Sequence, residues 1–280
     1  MAINGALAAE ELFFGFFRNL LNHTMSEDQQ LKSLPVLPEA IHKIRARTPA
    51  RIFVDRGAAY STSTQLELRN AHAGAVDAVW SEFDLERDFS AEYVAQWKLF
   101  QVSSKAQSKS QFLLRPDLGR ALSDAAKLEI AQRCPKSPDV QIVIGDGLSC
   151  AAVAVQVPAL FPLLHENLRV RGLSVGQTFA VRYCRVGIMN FIGDLLAPRL
   201  IVLLIGERPG LATAESLSAY MAFSPKSGQT DADRNLISNI HARGVSLPEA
   251  ASRIANLASQ MFALRRSGTS VKEETPNLLS

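Results

Sequence analysis

The run Leu203-Leu204-Ile205-Gly206-Glu207-Arg208-Pro209-Gly210-Leu211 sets a carboxylate and a guanidinium at the end of an apolar stretch. The apolar residues predict a buried strand up to Gly206, and in an open α/β sheet ligands bind at the carboxyl ends of the strands. A carboxylate there accepts strongly from N–H groups once water is excluded. A phosphate would instead call for arginine or lysine and a helix start. The plain alternative for Glu207 is a structural ion pair with Arg208 or another arginine. A second turn, Gly145-Asp146-Gly147-Leu148-Ser149-Cys150, reads G-x-G-x-x-C. It lacks the third glycine of a dinucleotide fingerprint, and Asp146 would face a pyrophosphate with like charge, so NAD is not expected. Gly145 and Gly147 read more simply as a tight strand-to-helix turn, with Asp146 free to bond a ligand or partner.

No side chain stands out as catalytic. Ser149 lies in Gly-Leu-Ser-Cys-Ala, not in a G-x-S-x-G elbow. Ser216 and Ser218 flank a leucine and read as caps or turns. His23, His42, His72 and His165 are scattered without metal-ligand spacing. The three cysteines, Cys134, Cys150 and Cys184, form no C-x-x-C pair and read as buried free thiols in a reducing cytoplasm.

The elements that must position Glu207 follow from hydrophobic period. Val140-Gln141-Ile142-Val143-Ile144, Phe179-Ala180-Val181-Arg182-Tyr183 and Leu200-Ile201-Val202-Leu203-Leu204-Ile205 predict strands, the last central in a parallel sheet. Residues 150–170 predict a helix broken or kinked near Pro158 and ended by Gly172. Two helices are predicted to close the chain. Thr230 and Asp233 make a capping-box pattern before Leu236, Ile237 and Ile240, and Ser246-Leu247-Pro248-Glu249 makes another before the stripe Ile254, Leu257, Met261, Leu264. Strands alternating with helices predict an α/β fold: a Rossmann-like parallel sheet flanked by helices over 136–268. Residues 50–135 read as a mainly helical N-terminal region. It includes an extended Arg51-Ile52-Phe53-Val54, a helix from Gln65 to Trp80, an exposed loop at 103–110, a turn at Pro116 and Gly119, and a helix from Ser123 to Arg133. Residues 269–280 read as a loose tail. Residues 1–49 read as a flexible or over-called extension; the aromatic segment from Phe13 to Leu21 is too short to span a bilayer, Met25 opens a more ordinary start, and a docking helix is the lesser reading.

With 280 residues, 47% apolar and 20% charged, the chain has material for a sizeable core. A formal charge of +3 gives no nucleic-acid footprint.

The Gly206–Gly210 motif, with Glu215-Ser216-Leu217-Ser218-Ala219-Tyr220, Thr230-Asp231-Ala232-Asp233-Arg234-Asn235 and Ser238-Asn239-Ile240-His241, resembles the light (small) subunit of ethanolamine ammonia-lyase. The resemblance is strong over 110–268 and weak over 50–110. It implies adenosylcobalamin as cofactor, and a heavy-subunit partner whose TIM barrel binds ethanolamine and holds the chemistry that yields acetaldehyde and ammonia. The light subunit would cover the cobalamin from the other side. In this family the glutamate of Gly-Glu-Arg-Pro-Gly contacts the cofactor, which here is Glu207. The valine of a Gly-Arg-Val segment is a second contact; the segment reads Cys184-Arg185-Val186 here, so Val186 matches while the glycine has become cysteine. Arg185 is the weaker candidate, for the nucleotide tail. A third contact, a cysteine before Ile-Ser-Asn-Ile-His, is replaced by Leu236 and is not carried over. Asn190 stands where an acid is expected, Asp194 for a glutamate and Ala212 for a glycine. His241 is not read as a metal ligand, because Asn239 replaces the aspartate of the Asp-x-His-x-x-Gly pattern of other cobalamin proteins; it reads as a helix-end residue before a glycine cap. The resemblance implies a cytoplasmic lyase subunit with no metal ligand of its own and no membrane span; packing inside a bacterial microcompartment is left open. The rival readings are an assembly or scaffold protein with a vestigial cobalamin face and a free-standing nucleotide-binding Rossmann-type enzyme.

Overall fold

The computed structural model describes residues 60–273 together with 39, 43 and 44. The chain divides into two compact units, Met1–Arg47 and Thr48–Ser280. In the first, the described residues show an exposed Lys43–Glu39 pair one helical turn apart at 2.7 Å. The expectations for residues 1–24, for most of 25–50, for Arg51-Ile52-Phe53-Val54 and for the last seven positions lie outside the described residues.

In the second unit, strands β1 (Gln101–Ser103), β2 (Val140–Gly145), β3 (Phe179–Arg182), β4 (Leu200–Gly206), β5 (Leu217–Phe223) and β6 (Asn235–Ile240) form one sheet in the order β1-β3-β2-β4-β5-β6. β1, β3, β2 and β4 run parallel, and β5 and β6 are antiparallel to their neighbours. The sheet is therefore mixed and not all-parallel as expected. The misreading lies in 216–240. Leu236, Ile237 and Ile240 fit a helical face, but only Ile237 and Ile240 are buried and the segment pairs as β6. The capping box at Thr230 and Asp233 is real, yet it closes only the 3₁₀ turn Asp231–Asp233. β1 occupies part of the expected exposed loop at 103–110, where Ser104 and Lys109 are also buried.

The helices are α1 (Thr62–Trp80), α2 (Leu85–Phe89), α3 (Ala91–Gln96), α4 (Lys109–Leu114), α5 (Asp124–Arg133), α6 (Cys150–Val170), α7 (Ile188–Leu196) and α8 (Leu247–Leu264). Alternate strand residues point to opposite faces. Ile142, Ile144, Val202 and Leu204 pack under α6 and α8, while Val143, Ile201 and Leu203 pack under α5 and α7.

α6 runs through Pro158 and Pro162 as one helix, so the chain is not broken there. Each internal proline costs about 3 kcal/mol. Val153, Val157, Leu160, Phe161, Leu164 and Leu168 are fully buried on this helix. At about 1.5–3 kcal/mol per side chain their burial outweighs both prolines. Gly172 ends the element at φ +72°, as expected. Residues 269–273 are tied down at two points: Val271 is buried and Glu273 holds Arg253 at 2.6 Å. α1 behaves differently, burying only Ala78 and exposing Leu66, Val76 and Trp80.

Candidate functional site

The carboxyl ends of β2, β3 and β4 lie at one edge of the sheet, and the segments that leave them form a cleft of about 440 Å³. Glu207 and Arg208 come from the end of β4, Arg185 and Val186 from the turn after β3, and Gly147 and Leu148 from the turn after β2. The three residues singled out from sequence, Arg185, Val186 and Glu207, therefore share one wall-to-wall space. Leu236, on the exposed face of β6, lines it too.

Glu207 is not held by the ion pair considered as the plain alternative. Its Oε2 accepts from the Ser216 hydroxyl at 2.8 Å, and its Oε1 accepts from the Ser218 hydroxyl at 2.5 Å and the Asn239 N–H at 3.0 Å. Ser216 and Ser218 are thus carboxylate donors at and within β5, not caps. A carboxylate has about four lone-pair sites, so three donors leave roughly one acceptor direction free, in a group fixed from below.

The turn beneath Glu207 is built by close backbone approach. Gly147 has φ +59°, and a Cβ there would lie 2.2 Å from the Gly206 carbonyl oxygen. Leu148 N–H donates to that same oxygen at 3.1 Å. Asp146, expected to be available to a ligand, is instead buried and accepts from the Tyr183 and Cys184 N–H groups, each at 2.7 Å. It staples the β2 turn to the β3 turn and holds Tyr183 at φ +55°. Burial raises the Asp146 pKa, against the pull of the two amides and the Lys109 ammonium. Sequence reasoning missed this role because nothing local announces that a neighbouring turn will close over an aspartate. Ser149 caps α6, accepting from Ala152 N–H at 3.1 Å and donating to the Ala214 carbonyl at 2.5 Å.

Cys184 is fully buried, and its Sγ fills the space over Gly145, where an added Cβ would meet it at 2.7 Å. Val186 packs on the core under α7. Arg185 lies with its guanidinium carbon 4.3 Å from the centre of the Phe112 ring. Burial lowers the Arg185 pKa, and the Arg208 charge pushes it the same way. Asn190 lies in a neighbouring cleft with Arg185 and Val186, donating to the Gln229 carbonyl at 2.8 Å and accepting from Arg234 at 3.0 Å. Asp194 is spent on Ser227.

His241 follows β6 and does not end a helix, a correction that comes with β6 itself. Its Nδ1 accepts from Arg243 N–H at 3.2 Å, so Nε2 carries the proton and donates to Asn239 Oδ1 at 2.7 Å. Both ring nitrogens are used within the fold. Burial, with Arg243 nearby, lowers its pKa and favours the neutral ring. Asn239, at φ +62°, thus joins Glu207 to His241. Among the described residues no cluster of His, Cys, Asp and Glu could hold a metal ion, and no helix is long and apolar enough to cross a membrane.

Comparison with known proteins places the chain in a family. Residues 38–272 match the family model for ethanolamine ammonia-lyase light chain (EutC). The ethanolamine ammonia-lyase small subunit of Clostridium perfringens is 41% identical over 245 residues, covering 87% of this chain and 81% of that protein. The small subunit from Clostridioides difficile is 38% identical over 245 residues, 87% of this chain and 82% of its own. That from Clostridium acetobutylicum is 36% identical over 243 residues, 86% of this chain and 98% of its own. All three are named as subunits of a carbon–nitrogen lyase, and the chain belongs to the ethanolamine ammonia-lyase light-chain family.

Proposed function

We propose that this chain is the small subunit of an adenosylcobalamin-dependent ethanolamine ammonia-lyase, and that the cleft of Arg185, Val186 and Glu207 is its share of the cobalamin site. The observation that carries this reading is the fixed Glu207 carboxylate, held by Ser216, Ser218 and Asn239 with acceptor capacity to spare. A corrin ring is fringed with neutral amides whose N–H groups need acceptors when water is excluded. Val186 offers a half-buried apolar surface beside that acceptor, and Arg185 Nε is a buried donor with no acceptor among the described residues. These residues suit the cofactor. When bound, adenosylcobalamin supplies the radical chemistry, and the protein supplies placement and exclusion of water.

No residue of this chain is given a catalytic role; the large subunit holds the substrate and the reacting groups. In this reading Glu207 orients the cofactor, Val186 excludes water from its edge, and Asp146 keeps the β2 and β3 turns in register beneath. We read the four parallel strands as a Rossmann-like unit whose carboxyl edge faces the large subunit. The exposed Leu66, Val76 and Trp80 of α1 suit burial against such a partner. The test is co-purification with the large subunit and adenosylcobalamin. The expected result is a coloured complex with a corrinoid visible spectrum and coenzyme-dependent release of ammonia from ethanolamine. A stable but colourless complex, inert with excess coenzyme, refutes the reading.

A further inference from the structure

Many of the described arginines of this chain pair with carboxylates. Arg87, Arg115, Arg133, Arg169, Arg199 and Arg253 each carry an acidic partner. At the rim of the sheet three arginines without such a partner are gathered together. Arg185 and Arg208 line the Glu207 cleft, and Arg185 and Arg120 line the adjoining cleft of about 520 Å³. Among the described residues, none of these three guanidinium groups has an ion-pair or hydrogen-bond partner, and Arg185 Nε is buried.

The grouping is built, not incidental. Arg185 N–H donates to the Gly119 carbonyl at 2.8 Å, docking the turn Leu118–Arg120 on the segment after β3. A Cβ at Gly119 would lie 2.8 Å from Arg185 Cγ, and one at Gly187 would lie 3.0 Å from Arg120 Cγ. Each segment thus carries a glycine where the other's arginine stem must pass. The Phe112 ring supports the Arg185 guanidinium from one side. Gathering like charges in a partly desolvated place costs free energy, and the lowered pKa of Arg185 reflects that cost. An anion would relieve it, and forked guanidinium donors match phosphate oxygens in pairs.

We infer that Arg120, Arg185 and Arg208 form a phosphate-binding site at the sheet rim, beside Glu207. Two sources share that chemistry: the phosphodiester in the nucleotide tail of a corrinoid, and free phosphate. Only the choice between them rests on the cobalamin reading.

The experiment uses the complex with the large subunit, as wild type and as Arg120→Gln, Arg208→Gln and Arg120→Lys. Cobalamin and cobinamide, which lacks the nucleotide and its phosphate, are titrated by visible spectrum; inorganic phosphate is titrated by calorimetry; melting temperatures control for folding. If the tail is the ligand, each glutamine variant loses about tenfold in cobalamin affinity, cobinamide affinity is unchanged, and the lysine variant recovers part of the loss. If free phosphate is the ligand, both corrinoids bind all variants alike, and phosphate binding is lost in the glutamine variants. Variants that melt like wild type and alter neither corrinoid nor phosphate binding overturn the site. Should wild type bind neither corrinoid, the cobalamin reading falls and the phosphate titration alone decides this one.

Discussion

Replacing Glu207 separates its two assigned tasks, because alanine and glutamine remove different things. Alanine removes the acceptor for the Ser216 hydroxyl, the Ser218 hydroxyl and the Asn239 N–H. Asn239 is exposed and recovers a water, whereas Ser218 is buried and Ser216 nearly so. Two stranded hydroxyls at about 1–2 kcal/mol each give about 2–4 kcal/mol. For a domain of this size that lowers Tm by about 4–15 °C. Glutamine keeps one carbonyl oxygen for Ser218 and Asn239, and turns its amide toward the Ser216 oxygen, which can rotate to accept. Its stability cost is about 1 kcal/mol or less. Its charge is gone, however, so a corrin amide meets a weaker acceptor, and corrinoid affinity in the complex falls by about 1–3 kcal/mol, roughly 5- to 150-fold. Thermal melts of the isolated chain and visible titrations of the complex measure the two effects. An alanine variant that melts with wild type would refute the claim that these three bonds fix the rim. A glutamine variant with undiminished corrinoid affinity would remove Glu207 from the cofactor site.

Gly147→Ala places a Cβ 2.2 Å from the Gly206 oxygen at a residue with φ +59°; strain and clash together should cost more than about 3 kcal/mol, and a Tm within two or three degrees of wild type would show that the rim is soft. Burial raises the thiol pKa to about 11 at Cys134 and about 12 at Cys150, and well above the usual value at Cys184. The native chain should therefore resist thiol reagents at pH 8 and react fully in denaturant, and rapid modification of the folded chain contradicts this burial. Burial also lowers the pKa of His165 and His241 below 6.5. The unfolded chain then binds more protons at pH values below 6.5, so the stability these rings contribute is full above that value and is lost as pH falls. His165 packs at a tilt on Trp97 and Phe161. His165→Phe keeps that ring packing, so it should melt above wild type at pH 5.5 and close to it at pH 7.5; an equal gap at both pH values refutes the charge explanation.

The parts of the site legible in the sequence are those whose signal is local. The run Leu200–Gly206 is apolar at every position, which only a strand buried on both faces requires, and it carried Glu207 to the correct sheet edge. The two serines and the asparagine that hold Glu207 were not legible in that way. β5 reads Leu-Ser-Ala-Tyr-Met-Ala-Phe, with Ser218 buried inside it because the Glu207 carboxylate, just past the end of the neighbouring β4, satisfies its hydroxyl. β6 reads Asn-Leu-Ile-Ser-Asn-Ile, and its two buried residues stand three apart because of the register shift between Leu217 and Ala219 of β5. A spacing of three imitates a helix, and the capping pattern upstream strengthened the imitation. Asp146 was misjudged for a related reason: its partners are backbone amides nearly forty positions away, which side-chain types cannot reveal.

The antiparallel pair of strands at one side of the sheet is what makes the rim possible. A parallel partner for β4 would need a crossover that carries the chain back to the opposite end of the sheet. Because β5 returns antiparallel, the segment between β4 and β5 stays at the carboxyl edge, closed by Glu207 N–H donating to the Ser216 carbonyl at 3.0 Å. Gly206 sits opposite Leu217, and Ile205 opposite Ser218, so the Ser218 hydroxyl rises under the Glu207 carboxylate. β6 then ends beside β5 and delivers the Asn239 N–H from the other side. Three donors, two from the antiparallel strands and one from the residue that leads into β5, thus fix an acid presented by a parallel strand. The elements most poorly read from sequence are therefore those that turn a common strand-end glutamate into an oriented acceptor.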